Sequence, residues 1–157
     1  MSLGGGGGGG ELQALSQELQ ELQQQIEFLE EEIESVRAEQ REIDDAVEAL
    51  DALETGSTVQ VPLGGGAYVR AELLDLDEVV VEIGGDYAVE REEEGAVETL
   101  ERKRETLDDR IDELNEEIAA FEAESDELES RAQQLQQQQM QQQMQGMQGM
   151  GGEAPDE

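Results

Sequence analysis

Two stretches of this chain share one periodicity, and that periodicity limits what the chain can become. Leu12, Leu15, Leu19, Leu22, Ile26, Leu29, Ile33, Val36, Gln40, Ile43, Val47 and Leu50 follow one another by alternating threes and fours. After an interruption, Val97, Leu100, Arg104, Leu107, Ile111, Leu114, Ile118, Phe121, Ser125, Leu128, Ala132 and Leu135 repeat the pattern. A seam at every third and fourth position, held over several heptads, predicts a coiled coil rather than one helix of a globular core. The two seams are equal in length, each roughly 57 Å at 1.5 Å per residue. Aromatic residues make up 3% of the chain and hydrophobic residues 36%. That is too little to fill one large core, so a leucine seam or a partner chain must hold the molecule together.

If the two helices pair antiparallel, Leu50 faces Val97, Val47 faces Leu100 and Leu12 faces Leu135. The same register sets each weak seam residue against an apolar one: Gln40 against Leu107, Arg104 against Ile43, Ser125 against Leu22, Ala132 against Leu15. Polar seam residues cost stability and fix register, which gives Gln40 and Arg104 structural roles.

Only the stretch between the seams drops to a period of two. It carries four short strand candidates: Thr58 to Val61, Ala67 to Leu74, Glu78 to Ile83 and Tyr87 to Glu90. Pro62 with Gly64-Gly65-Gly66, then Asp75-Leu76-Asp77, then Gly84-Gly85-Asp86 separate them. Strands so few and short leave free edges and enclose no core. The middle is therefore expected to build an oligomer, through Val59, Val61, Val69, Leu73, Val79, Val81, Ile83 and Val89. The expected architecture is mostly α with a small β part: an antiparallel coiled-coil hairpin with two β-hairpins between the helices. Its divisions are a flexible glycine-rich tail over 1–10, a first helix over 11–55, a β assembly region over 56–95, a second helix over 96–139, and a disordered Gln/Met/Gly tail over 140–157.

The inventory removes whole classes of chemistry. With no cysteine and no histidine, disulfides, thiolate zinc sites, Cys/His nucleophiles and a Ser-His-Asp triad are excluded. Gly64-Gly65-Gly66 has no GK[ST] behind it and reads as a turn, not a phosphate cradle. Asp75, Asp77, Glu78 and Glu82 lack the spacing of a calcium loop. No catalytic residue, metal or cofactor is expected.

Asp and Glu number 42 against 9 Lys and Arg, a formal charge of −33. Such a surface repels phosphate and anionic lipid, so neither nucleic acid nor membrane is an expected partner. The acids are spread over both helices and the middle, which suits a solvated surface in a very salty cytoplasm, where screening removes the self-repulsion. Lys103 as the only lysine agrees with this. No stretch approaches the roughly 20 apolar residues of a membrane span, and MSLGGGGGGG lacks the parts of a signal peptide. A cytoplasmic location is expected.

These features together resemble prefoldin, in particular its archaeal alpha class from a halophile. The most specific stretch is VPLGGGAYVRAELLDLDEVVVEIGGDYAVE, followed by AVETLERK opening the second helix. Four strand candidates match the two hairpins of the alpha class better than the single hairpin of the beta class. The resemblance implies a hexamer of two alpha and four beta subunits, with strands joined in a body and six coiled coils projecting from it. It also implies an ATP-independent chaperone that captures unfolded proteins at the coiled-coil tips and delivers them to a group II chaperonin. Here the tips carry Leu12, Leu15, Leu19, Leu128 and Leu135. Met140 and Met144 extend them, because methionine is a flexible, polarizable side chain common on adaptable binding surfaces. Two other readings use the same seam: a passive coiled-coil scaffold or adaptor, and a coiled-coil factor that inserts into RNA polymerase. The second needs a short loop joining the helices, where this chain has a β-rich insert.

Overall fold

The computed structural model describes residues 7–151 and has two long helices with two small antiparallel β-hairpins between them. Helix α1 spans Gly7–Ala52 and helix α2 spans Glu93–Gly151. The hairpins are β1 (Thr58–Gly64) with β2 (Ala67–Glu72), and β3 (Val79–Gly84) with β4 (Tyr87–Arg91). By internal contacts the chain divides into two units. One comprises Met1–Glu32 with Leu114–Glu157; the other is Ile33–Glu113.

In the first unit the seam closes as its register requires. Leu15, Leu22 and Leu128 are buried together, with Leu19, Phe121, Ala132 and Leu135 packed against them. Leucine at successive seam positions gives each layer a side chain long enough to reach across, and Ala132 and Ser125 leave room for Leu15 and Leu22. In the second unit the helices are joined by polar seam residues. The Gln40 side chain donates to the Arg104 carbonyl at 3.2 Å and to Asp108 Oδ1 at 2.6 Å. Those two acceptors flank Leu107, the residue predicted to face Gln40.

Helix bounds differ from the sequence expectation at both ends. α2 starts at Glu93, so Glu93 and Glu94 stand in its first turn, where the helix dipole favours carboxylates. It continues past Gln139 to Gly151, because glutamine and methionine are good helix formers and isolated glycines only weaken a helix. The disordered tail expected over 140–157 is thus helical through Gly151, and 152–157 lie outside the described residues. α1 starts at Gly7 rather than Glu11, within the expected flexible tail, and residues 1–6 lie outside the described residues. Nothing in the packing explains this glycine turn: a side chain at Gly9 or Gly10 would meet no heavy atom within 4 Å.

Both hairpins are built alike. Val61 pairs with Val69 and Val81 with Val89, and each ladder shifts register just before its turn. The turns need left-handed backbone, with φ of 100°, 60° and 82° at Gly64 to Gly66. Gly84 (107°), Gly85 (59°) and Asp86 (64°) repeat the solution, which glycine adopts freely and aspartate tolerates. Pro62 stands inside β1 opposite Tyr68 rather than ending the strand. β1 has one neighbour only, so a missing N–H is tolerated on its open side. Beyond β2, reciprocal backbone bonds (Leu73 N to Ser57 O, Gly56 N to Leu73 O) extend the first hairpin toward α1.

Candidate functional site

Each hairpin is a two-stranded ribbon, so strand alternation sends side chains to two faces and the chain covers only part of them. Val81 is buried at 5% exposure, and Val59, Leu73, Val79 and Val89 are half-buried. Val61, Val69 and Ile83 remain exposed. Val81 therefore serves this chain's own packing more than a partner. The larger uncovered groups are Leu63, Leu74 (91% exposed) and Val80, which the sequence did not assign to the interface, and Tyr68 and Tyr87 (73%), which the sequence reads as sheet core or interface. Val80 lies on the opposite face of β3 from Val79 and Val81, and Leu74 lies just beyond β2. A two-faced apolar pattern, with both tyrosines outward, was the available signal. The valine alternation obscured it by marking one face as the core.

Helix α2 passes under this region with Ala96 fully buried in its first turns. A Cβ at residue 95 would meet the Arg91 side chain at 3.5 Å, an ordinary contact, so the glycine there is not required by crowding. Farther along, Arg104 reaches Asp44 of α1 through two hydrogen bonds, Nε to Oδ1 at 2.8 Å and a terminal nitrogen to Oδ2 at 3.3 Å. The Asp44 hydrogen bond, and then its charge, raise the Arg104 pKa above its ordinary value, so the guanidinium stays cationic wherever the chain folds. Asp44, Glu48, Asp51, Glu94, Glu98 and Glu101 line a groove of about 790 Å³ beside it. Among the described residues, no group of three or more Asp and Glu is placed to hold a metal ion.

The expected tip residues fall into three groups. Leu15 and Leu128 are buried in the seam, while Leu12, Leu19 and Leu135 are half-buried. Met140 and Met144 are exposed. Phe28 was missed by the seam reading because it lies one residue off the repeat, before Leu29. It is 66% exposed and, with Leu29 and Phe121, lines a shallow groove of about 440 Å³ rimmed by Glu21, Gln24, Gln25 and Glu117. Both of the chain's phenylalanines thus line one groove.

The sequence model of one family, described as Prefoldin subunit, matches residues 11–138, both helices and both hairpins. The chain belongs to the prefoldin family. Prefoldin alpha subunits from halophilic archaea are its relatives. That of Haloarcula marismortui is 59% identical over 73% of this chain and 74% of its own. Those of Halorubrum lacusprofundi and Halobacterium salinarum are 64% and 65% identical, each covering 73% of the relative. Among solved structures, a chain of the filamentous prefoldin from Methanocaldococcus jannaschii is 26% identical over 78% of this chain and 98% of its own, with a TM-score of 0.52. The prefoldin beta subunit from Thermococcus strain KS-1, 21% identical with a TM-score of 0.51, shares the fold. Prefoldin subunits are chaperone components rather than enzymes, which fits a chain whose exposed features are apolar surfaces and paired helices. No helix among the described residues is long and apolar enough to cross a membrane.

Proposed function

We propose that this chain is the alpha-class component of an ATP-independent holding chaperone, completed by beta-class subunits in a ratio of two to four. The observation that carries the reading is the hairpin pair, which leaves Leu63, Tyr68, Leu74, Val80 and Tyr87 in solvent. Apolar residues grouped this way, beside unpaired strand edges, are surface that a partner strand covers. Unfolded proteins are then held at the helix ends remote from the hairpins in sequence. There half-buried Leu12, Leu19 and Leu135 are joined by exposed Met140 and Met144, and Phe28 adds an aromatic contact. Such contacts are weak singly and strong together, so several chains grip one client and a group II chaperonin can still take it over. The acidic surface keeps the complex dispersed in a salt-rich cytoplasm, in keeping with the habitats of its relatives' halophilic hosts.

The test is reconstitution with a beta-class partner in molar salt. Native mass should give two copies of this chain with four of the partner, and the complex should suppress aggregation of an unfolded protein and pass it to a group II chaperonin. A stable, cooperatively folded monomer that ignores the partner would defeat the assembly reading. An intact complex that leaves aggregation unchanged would leave a scaffold.

A further inference from the structure

Beneath the β3–β4 hairpin, one face of α2 is free of carboxylates. Thr99, Arg102, Lys103, Thr106 and Leu107 follow the helical spacing of three and four and share that face. With Ile83, Val89 and Arg91 of the hairpin they line a groove of about 380 Å³. Three of the chain's 9 cations stand in it, although the chain carries 42 acids. Arg91, Arg102 and Lys103 form no ion pair among the described residues, whereas Arg37, Arg104 and Arg110 each pair with a carboxylate of this chain. Arg41, Arg70 and Arg131 are unpaired too, but they stand singly on α1, β2 and the far part of α2. The threonines add no charge to the groove, and their hydroxyls donate to their own helix: Thr99 to the Gly95 carbonyl at 2.8 Å, Thr106 to the Arg102 carbonyl at 3.1 Å.

We propose that this groove seats a segment of the beta-class partner in which an aliphatic side chain is flanked by carboxylates. The aliphatic group meets Ile83, Val89 and Leu107, and the carboxylates meet Arg91, Arg102 and Lys103. The proposal rests on the assembly reading and sharpens it. Ile83 is 49% exposed, so the apolar side of the groove stands open to an occupant. Charge complementarity selects the occupant's chemistry: in a chain of net −33, clustered cations without internal partners match carboxylates from another chain. At molar salt the Debye length is roughly 3 Å, so the pairs act by direct contact rather than at a distance.

Lys103 is the only lysine, which gives the test a single address. Its neighbours one turn away are Thr99, Leu100, Thr106 and Leu107, none of them a carboxylate. Zero-length carbodiimide coupling of the assembled complex, followed by peptide mapping, should join Lys103 to an Asp or Glu of the partner. Coupling to another copy of this chain or to Glu153, Asp156 or Glu157 overturns the proposal, as does an assembled complex with Lys103 left free. In parallel, Arg102→Gln with Lys103→Gln should weaken assembly about tenfold or more, while the charge-matched Arg41→Gln with Arg131→Gln leaves it unchanged. If the groove variant assembles normally and Val80→Ser with Tyr87→Ser does not, the groove proposal fails and the assembly reading stands. If none of these variants weakens assembly, the groove proposal fails and the contact with the partner lies outside both the groove and the Val80–Tyr87 surface.

Discussion

Replacing Gln40 separates two roles that a polar residue in an apolar seam can have. Gln40 is 7% exposed, the one buried polar residue among those described, and it bonds to the Arg104 carbonyl and to Asp108. Gln40→Ala removes a hydrogen bond to a carboxylate, worth about 1.5–3 kcal/mol at most, and leaves a gap in the layer. Asp108 is 57% exposed at its side chain and recovers water, so the expected net loss is about 1–2 kcal/mol. For a chain of this size that lowers the melting temperature by roughly 3–6 °C. Gln40→Leu behaves differently. Leucine fills the layer, and the Arg104 carbonyl keeps its place in the α2 ladder. The apolar variant should therefore melt within about 1 kcal/mol of the parent, or above it. The assay is helical circular dichroism against temperature in molar salt, for the complex and for the chain alone. A Gln40→Leu variant that melts as far below the parent as Gln40→Ala would refute the reasoning, because the hydrogen bonds themselves would then be holding the seam.

Other outcomes follow from the same surfaces. Phe28→Ser, Met140→Ser and Met144→Ser together should weaken aggregation suppression with assembly intact, because all three side chains are exposed; unchanged holding would move client contact elsewhere. Leu15→Ser and Leu128→Ser should instead lower helicity as well, since both are buried, and a helical signal equal to the parent's would contradict that. Leu114→Ala should cost about 2–5 kcal/mol, read by thermal melting, because Leu114 has 0% exposure. Gly95→Ala should stabilise the fold by up to about 1 kcal/mol, read as a raised melting temperature, since an added Cβ meets Arg91 at an ordinary 3.5 Å and φ at Gly95 is not left-handed. Lowering salt from 1 M to 0.01 M extends the Debye length from roughly 3 Å to roughly 30 Å, and melting should fall steadily across the series.

The seams were legible because burial along a coiled coil repeats with the sequence itself. Gln40, Leu22 and Leu128 are buried where the spacing put them. The hairpins were legible from their glycine turns, which only a few residue types can form. The outward face of the hairpins was not, since in a two-stranded ribbon neither face is the core until something packs on it. Phe28 escaped for a related reason: periodicity finds the residues that hold the helices together and is silent about an apolar side chain beside them. The cation groove was not legible either, because Arg91 joins Arg102 and Lys103 in one groove only once β4 folds back beside α2. The reach of α2 to Gly151 was hidden by composition, as glutamine and methionine tracts read equally as tail or helix.

The separate hairpins carry a consequence for the living cell. A two-stranded ribbon is marginal alone, so this part of the chain becomes secure only when another subunit lies against it. A copy made in excess keeps its edges open and its tyrosines wet, and spends more of its time locally unfolded, where proteases act. If a partner subunit covers the hairpins as proposed, surplus copies are expected to be degraded faster than paired ones. The proportion of subunits would then be corrected after synthesis, by the differing lifetimes of orphaned and assembled chains.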